Sequence, residues 1–150
     1  PNEDDPLIRL QIVRTLAEYP TTTADSTLTA ALDDPDADVR LAACEAWGRR
    51  AGPQAATHLS RVVSSDVDTD VRLAAVRALG DTGDPASVSA LGQALEDRDP
   101  AMQYAAVQSL RDVTDRDFGN DVSRWRQFVA GEHPDPPRSI SIAERFHRLF

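Results

Sequence analysis

The chain has 150 residues, a formal net charge of −9 and 41% hydrophobic residues. That length and apolar content allow a sizeable buried core and exclude a disordered chain. The acidic balance argues against nucleic acid and against an anionic membrane surface, since both need clustered cations. No apolar run of about 18 residues is present to cross a bilayer as a helix.

The first predicted helix opens at Asp5, whose carboxylate can accept from the first free backbone amides. Pro6 follows at the first helical position, where a missing N–H costs nothing. The helix carries Ile8, Ile12, Val13 and Leu16 and stops at Pro20 with its threonine run. A second helix, with Leu28, Ala31 and Leu32 on one face, comes next. Asp36 then opens a helix with Val39, Ala42, Ala43, Ala46 and Trp47, broken by Gly52-Pro53. Leu59, Val62 and Val63 mark its partner. Asp68 opens the next, with Val71, Ala74, Ala75, Ala78 and Leu79, broken at Gly83-Asp84-Pro85 and followed by Leu91, Ala94 and Leu95. Asp99-Pro100 opens the last such pair. Met102, Ala105, Ala106 and Leu110 lie on its first helix, and Trp125, Phe128 and Val129 follow a longer connection from Val113 to Asn120.

These pairs are one unit written four times. The segments beginning at Ile8, Val39, Val71 and Met102 align residue for residue at offsets of 31, 32 and 31. A fixed period of that size means a solenoid: one unit cannot bury its apolar face alone, so neighbours stack. The predicted architecture is an all-α, right-handed superhelix of four helical hairpins plus a C-terminal helix. Its array spans 1–130, with units at about 3–33, 34–65, 66–96 and 97–130. Residues 131–138 hold three prolines and read as a linker. Residues 139–150 combine a capping box, Ser141 to Glu144, with Ile142, Phe146, Leu149 and Phe150 at helical spacing. That stretch is too short to persist alone, so it is expected to dock, either on the fourth unit near Trp125 and Phe128 or on another chain.

The motif D-x-x-V-R-x-A-A-x-x-A-L-G, clearest at Asp36–Gly48 and Asp68–Gly80, resembles the HEAT-like repeat family, including the bacterial subgroup related to phycobilisome lyases. The resemblance spans about residues 3–130, and Thr114–Asp121 with Trp125 looks like a closing segment of bacterial arrays. It implies a ladder in which Arg9, Arg40 and Arg72 pair with recurring acids at the helix starts, Asp36, Asp68 and Asp99. The residues read the same way, because a guanidinium grips a carboxylate with two parallel hydrogen bonds. A second acidic column, Glu3, Asp34, Asp66 and Asp97, lies two residues earlier.

No catalytic constellation appears. The three histidines, His58, His133 and His147, lack partners at metal-ligand spacing. The Asp33–Asp38 acids lack the glycine and glutamate of a calcium loop. Cys44, the one cysteine, falls in a column of valines and reads as core. The expectation is a non-enzyme with no cofactor or metal, binding a protein or peptide on the second helices. The candidate surface is Thr27, His58, Arg61, Gln93, Arg124 and Gln127. The resemblance also admits a bilin-lyase-type enzyme or chromophore chaperone. A third reading, a HEAT-like DNA repair glycosylase, would need a basic concave face. The chain begins at Pro1 rather than Met, as an excised piece would. No targeting segment is recognisable, so the cytoplasm is the default expectation and a removed leader the alternative.

Overall fold

Each of the four repeated aspartates closes on the amides that follow it. Asp5 accepts from Leu7 N at 2.9 Å, and Asp99 accepts from Ala101 N at 2.8 Å. Asp36 accepts from Asp38 N and Val39 N at 2.9 and 3.2 Å, and Asp68 accepts from Asp70 N and Val71 N at 2.8 and 3.2 Å. These caps start α1 (Pro6–Ala17), α3 (Ala37–Arg50), α5 (Thr69–Asp81) and α7 (Pro100–Thr114). They alternate with α2 (Thr22–Ala31), α4 (Gly52–Ser65), α6 (Val88–Ala94) and α8 (Val122–Val129), and a 3₁₀ turn, Pro85–Ser87, leads into α6. The computed structural model describes residues 4–19 and 21–135. Among these the chain is an α-solenoid of eight α-helices with no strand. The helix expected at 139–150 lies outside the described residues.

The helices form two layers. In the first, α1, α3, α5 and α7 pack directly on one another in chain order. In the second, α2, α4, α6 and α8 touch their neighbours sparingly. The closest hairpins are α4 with α5 and α6 with α7, so the tightest structural pairs straddle the unit frame read from the sequence. The face of the first layer turned away from the second is open and is termed the inner face. The sequence reading places the candidate binding surface on the second helices instead. Spacing follows from side-chain size, which is smallest along the first helices.

Small residues permit that spacing. A Cβ added to Gly48 would lie 3.0 Å from the Cβ of Ala78. One added to Gly80 would lie 2.7 Å from Ser109 Oγ and 2.9 Å from Ser109 Cα. The Ser109 hydroxyl is buried and donates across the same interface to Val76 O at 2.9 Å. Between the layers runs one continuous core, with Leu28, Leu59, Leu79, Leu91, Leu95 and Leu110 fully enclosed. At the C-terminal end Phe118, Trp125 and Phe128 seal the array as a cluster. Ring centroids lie 4.9 Å apart for Phe118 and Trp125, and 5.5 Å apart for Phe118 and Phe128. Trp125 Nε1 donates to Gly119 O at 3.0 Å.

The Gly80–Ser109 contact sets a sign. Ala is the better helix former by about 1 kcal/mol, so an open site would gain from Gly80→Ala. Here overpacking against backbone should outweigh that gain, for a net loss of roughly 1–3 kcal/mol in urea denaturation. A stabilised variant would show that α5 and α7 do not meet at this point.

Candidate functional site

The arginine column does two jobs. Arg9 Nε and Nη2 donate to the two carboxylate oxygens of Asp34, both at 2.8 Å. Arg40 does the same to Asp66 at 2.8 and 3.0 Å. Each fork ties one unit to the next and is largely shielded from water; the Arg40 and Asp66 side chains are 12% and 7% exposed. The third donor satisfies a turn carbonyl. Arg40 Nη1 reaches Asp34 O at 2.9 Å, Arg72 Nη1 reaches Asp66 O at 3.0 Å, and Gln103 Nε2 reaches Asp97 O at 2.7 Å. Gln103 therefore keeps the local half of the arginine's role.

Two parts of the expected ladder are corrected. The carboxylates gripped are those of the earlier column, Asp34 and Asp66; Asp36, Asp68 and Asp99 are occupied as caps. Arg72 makes no ion pair with Asp97; its Nη2 turns to Thr69 Oγ1 at 3.1 Å. The first two units have Pro6 and Ala37 at that position, which offer no side-chain acceptor.

The second-helix row differs from the open surface expected. His58 is half-buried with its ring 4.6 Å from that of Trp47. Burial and the nearby Arg61 hold its pKa below the ordinary imidazole value. Thr27 is half-buried, and Ala90, in the same row, is buried. Arg61 is closed on Asp33 at 2.7 and 3.1 Å, and Arg124 pairs with Asp121 at 3.4 Å. Only Gln93 and Gln127, of the six candidates, are exposed side chains with no such engagement.

The inner face is different. Leu10, Leu41 and Leu73 are half-buried and Tyr104 is 57% exposed; they make an apolar row along α1, α3, α5 and α7. A groove of about 650 Å³ between α3 and α5 is lined by Leu41, Leu73 and Ala74 and by charged Glu45, Arg49, Asp70, Arg77 and Asp81. Asp38 and Asp112 extend the charged margins on the same helices. None of these seven charged side chains belongs to an ion pair among the described residues. Burial and the nearby Asp112 raise the pKa of Asp81, against the pull of Arg49. The signal for this face was in the sequence. Leu41 and Leu73 fall outside the core set of positions, in an otherwise polar stripe.

Cys44 is fully buried, and burial pushes its thiol up to about 12. Among the described residues no group of three or more His, Cys, Asp or Glu side chains could hold a metal ion. His133 is exposed and His147 lies outside the described residues. No helix of the described residues is long and apolar enough to cross a membrane.

The two-layer stack with its Asp and Arg columns is a repeat-protein scaffold. The family model for HEAT repeats matches residues 2–79 and 59–123, and the chain belongs to the HEAT-repeat family. No curated protein matches it significantly.

The ladder makes two predictions. Arg40→Ala leaves Asp66 nearly buried and unpaired. Its cost should fall at roughly 2–4 kcal/mol, between exposed pairs at about 0–1 and buried ones at about 3–5. Arg61→Ala should stay within about 1 kcal/mol; equal losses in denaturant melts would contradict the ranking. The second concerns pH. The Arg9 hydrogen bonds lower the Asp34 pKa below its ordinary 3.8. At Asp66, burial pushes upward, but the hydrogen bonds from Arg40 and Asp68 N win and the net shift is down. Both carboxylates therefore stabilise the fold above about pH 4, and that contribution is lost as pH falls through their lower folded values. A plot of stability against pH should drop in that acid range and be flatter for Asp34→Asn. An unchanged slope would detach the ladder from acid stability.

Proposed function

We propose that the chain is a non-catalytic scaffold holding a segment of a partner protein on the inner face of its first helices. The partner segment carries apolar side chains together with Arg or Lys. Membership of the HEAT-repeat family supports protein binding as the class of activity. The observation that carries the choice of face is the contrast between layers. On the second helices the arginines are already closed on Asp33 and Asp121, and a partner would have to break those pairs before gaining anything. At and beside the groove on the first helices, Asp38, Glu45, Arg49, Asp70, Arg77, Asp81 and Asp112 belong to no ion pair among the described residues and flank an apolar row. Complementary charge there gives register and association rate, while the leucines and Tyr104 supply apolar area.

The test is retention of a partner from extract of the source cell by the immobilised chain. Leu73→Arg should reduce retention about tenfold or more, while Arg61→Ala and Gln93→Ala leave it intact. The opposite pattern would move the binding face to the second helices.

A further inference from the structure

We infer that residues 139–150 occupy the inner groove of their own chain, as an internal competitor for the partner. This deepens the proposed function and rests on the same reading of the face.

Three observations converge. The first is where the chain leaves the array. Arg126, in the last turn of α8, donates to Leu95 O at 2.5 Å and pairs with Glu96 at 2.8 Å. The exit therefore lies beside the end of α6, at the turn that leads into α7. From Ala130 to Arg138 the chain can span up to about 30 Å when extended, ample to reach the inner row.

The second is complementarity. Residues 136–150 hold Arg138, Arg145 and Arg148 against the single Glu144, on a chain whose net charge is −9. The groove and its margins hold the acids Asp38, Glu45, Asp70, Asp81 and Asp112 against Arg49 and Arg77, all exposed and outside any ion pair among the described residues. Ile142, Phe146, Leu149 and Phe150 match the apolar row in kind. A helix of ten residues is about 15 Å long, close to two interaxial spacings of about 8–10 Å, the run from Tyr104 past Leu73 to Leu41.

The third is the condition of the other docking place. At the C-terminal end Trp125 and Phe118 are already buried in their aromatic cluster with Phe128. The inner row still exposes Tyr104 and leaves Leu41 and Leu73 half open.

The experiment places the photoreactive residue p-benzoylphenylalanine at Phe146 in the full chain and maps the adduct by mass spectrometry. The expected product is an uncrosslinked-size monomer whose adduct lies on α5 or α7, around Leu73 and Tyr104. The double variant Asp70→Arg, Asp81→Arg should cut that yield about fivefold or more, with the helical circular dichroism and melting temperature kept. An adduct on Trp125 or Phe128, an adduct to a second molecule, or no adduct would each overturn the inference. So would a yield that ignores the charge reversal. Partner retention separates the two ideas: if Leu73→Arg still loses the partner while Phe146 finds no groove adduct, only the internal competitor is wrong.

Discussion

How close the first helices can come to one another governs nearly everything else in this molecule. Gly48 faces Ala78 and Gly80 faces Ser109 with no space for a further carbon. Backbones at that distance bury their whole facing surfaces with alanines, and the large side chains are pushed to the seam between layers. Leucines of both layers, Leu79 and Leu110 on one side and Leu28, Leu59 and Leu91 on the other, fill that seam. A single methyl group at position 80 would act on all of these together.

Close approach also explains the ladder. Where two helix starts are brought side by side, the turns before them are drawn into partial burial, and their carbonyls and carboxylates lose water. An arginine inserted there answers both needs, binding the neighbour's carboxylate with its fork and its own turn's carbonyl with the remaining nitrogen. In a solenoid, stability is mostly a sum of unit and nearest-neighbour contributions. The forks at Arg9 and Arg40 therefore strengthen the first two junctions. The third, between α5 and α7, relies on the Ser109 hydrogen bond and on packing. Thr69 and Gln103 mark the change: one diverts Arg72 and the other keeps only the local contact.

Much of this was legible in the residues, because it depends on period. The offsets of 31 and 32 placed every first helix, and Asp before an apolar heptad-like stripe placed every cap. What periodicity does not encode is the direction of a long side chain. Two acidic columns two residues apart are equally near an arginine in sequence, and only the fold of the turn shows that Asp34 and Asp66 face it. The second-helix row is less open than a straight column would make it, for a related reason. Ala90 follows a 3₁₀ turn, whose tighter winding alters the facing of the short helix after it, so a column extrapolated from Thr27 and His58 turns inward there. The apolar row of Leu41 and Leu73 had its signal in the sequence, but the pattern alone does not show that these positions line a groove between α3 and α5.

The charge distribution then takes on a meaning beyond the net −9. The arginines are not spread evenly against the acids. Those at the seams and on the outer helices are engaged within the chain, while Arg49 and Arg77 stand on the inner face among more numerous acids. A rigid stack cannot bring distant counter-charges to that face by rearranging, because each unit is locked to its neighbours. Burial, with the charge of Asp112 beside it, raises the pKa of Asp81 against the pull of Arg49, and a cation placed there would oppose both effects. An apolar row with an unmet demand for cations selects one kind of segment, and the arginines and phenylalanines of residues 138–150 have that composition. On the proposed reading, scaffold and occupant are written in the same chain, and binding of an outside partner is a competition whose balance the linker length and the acids of the groove set.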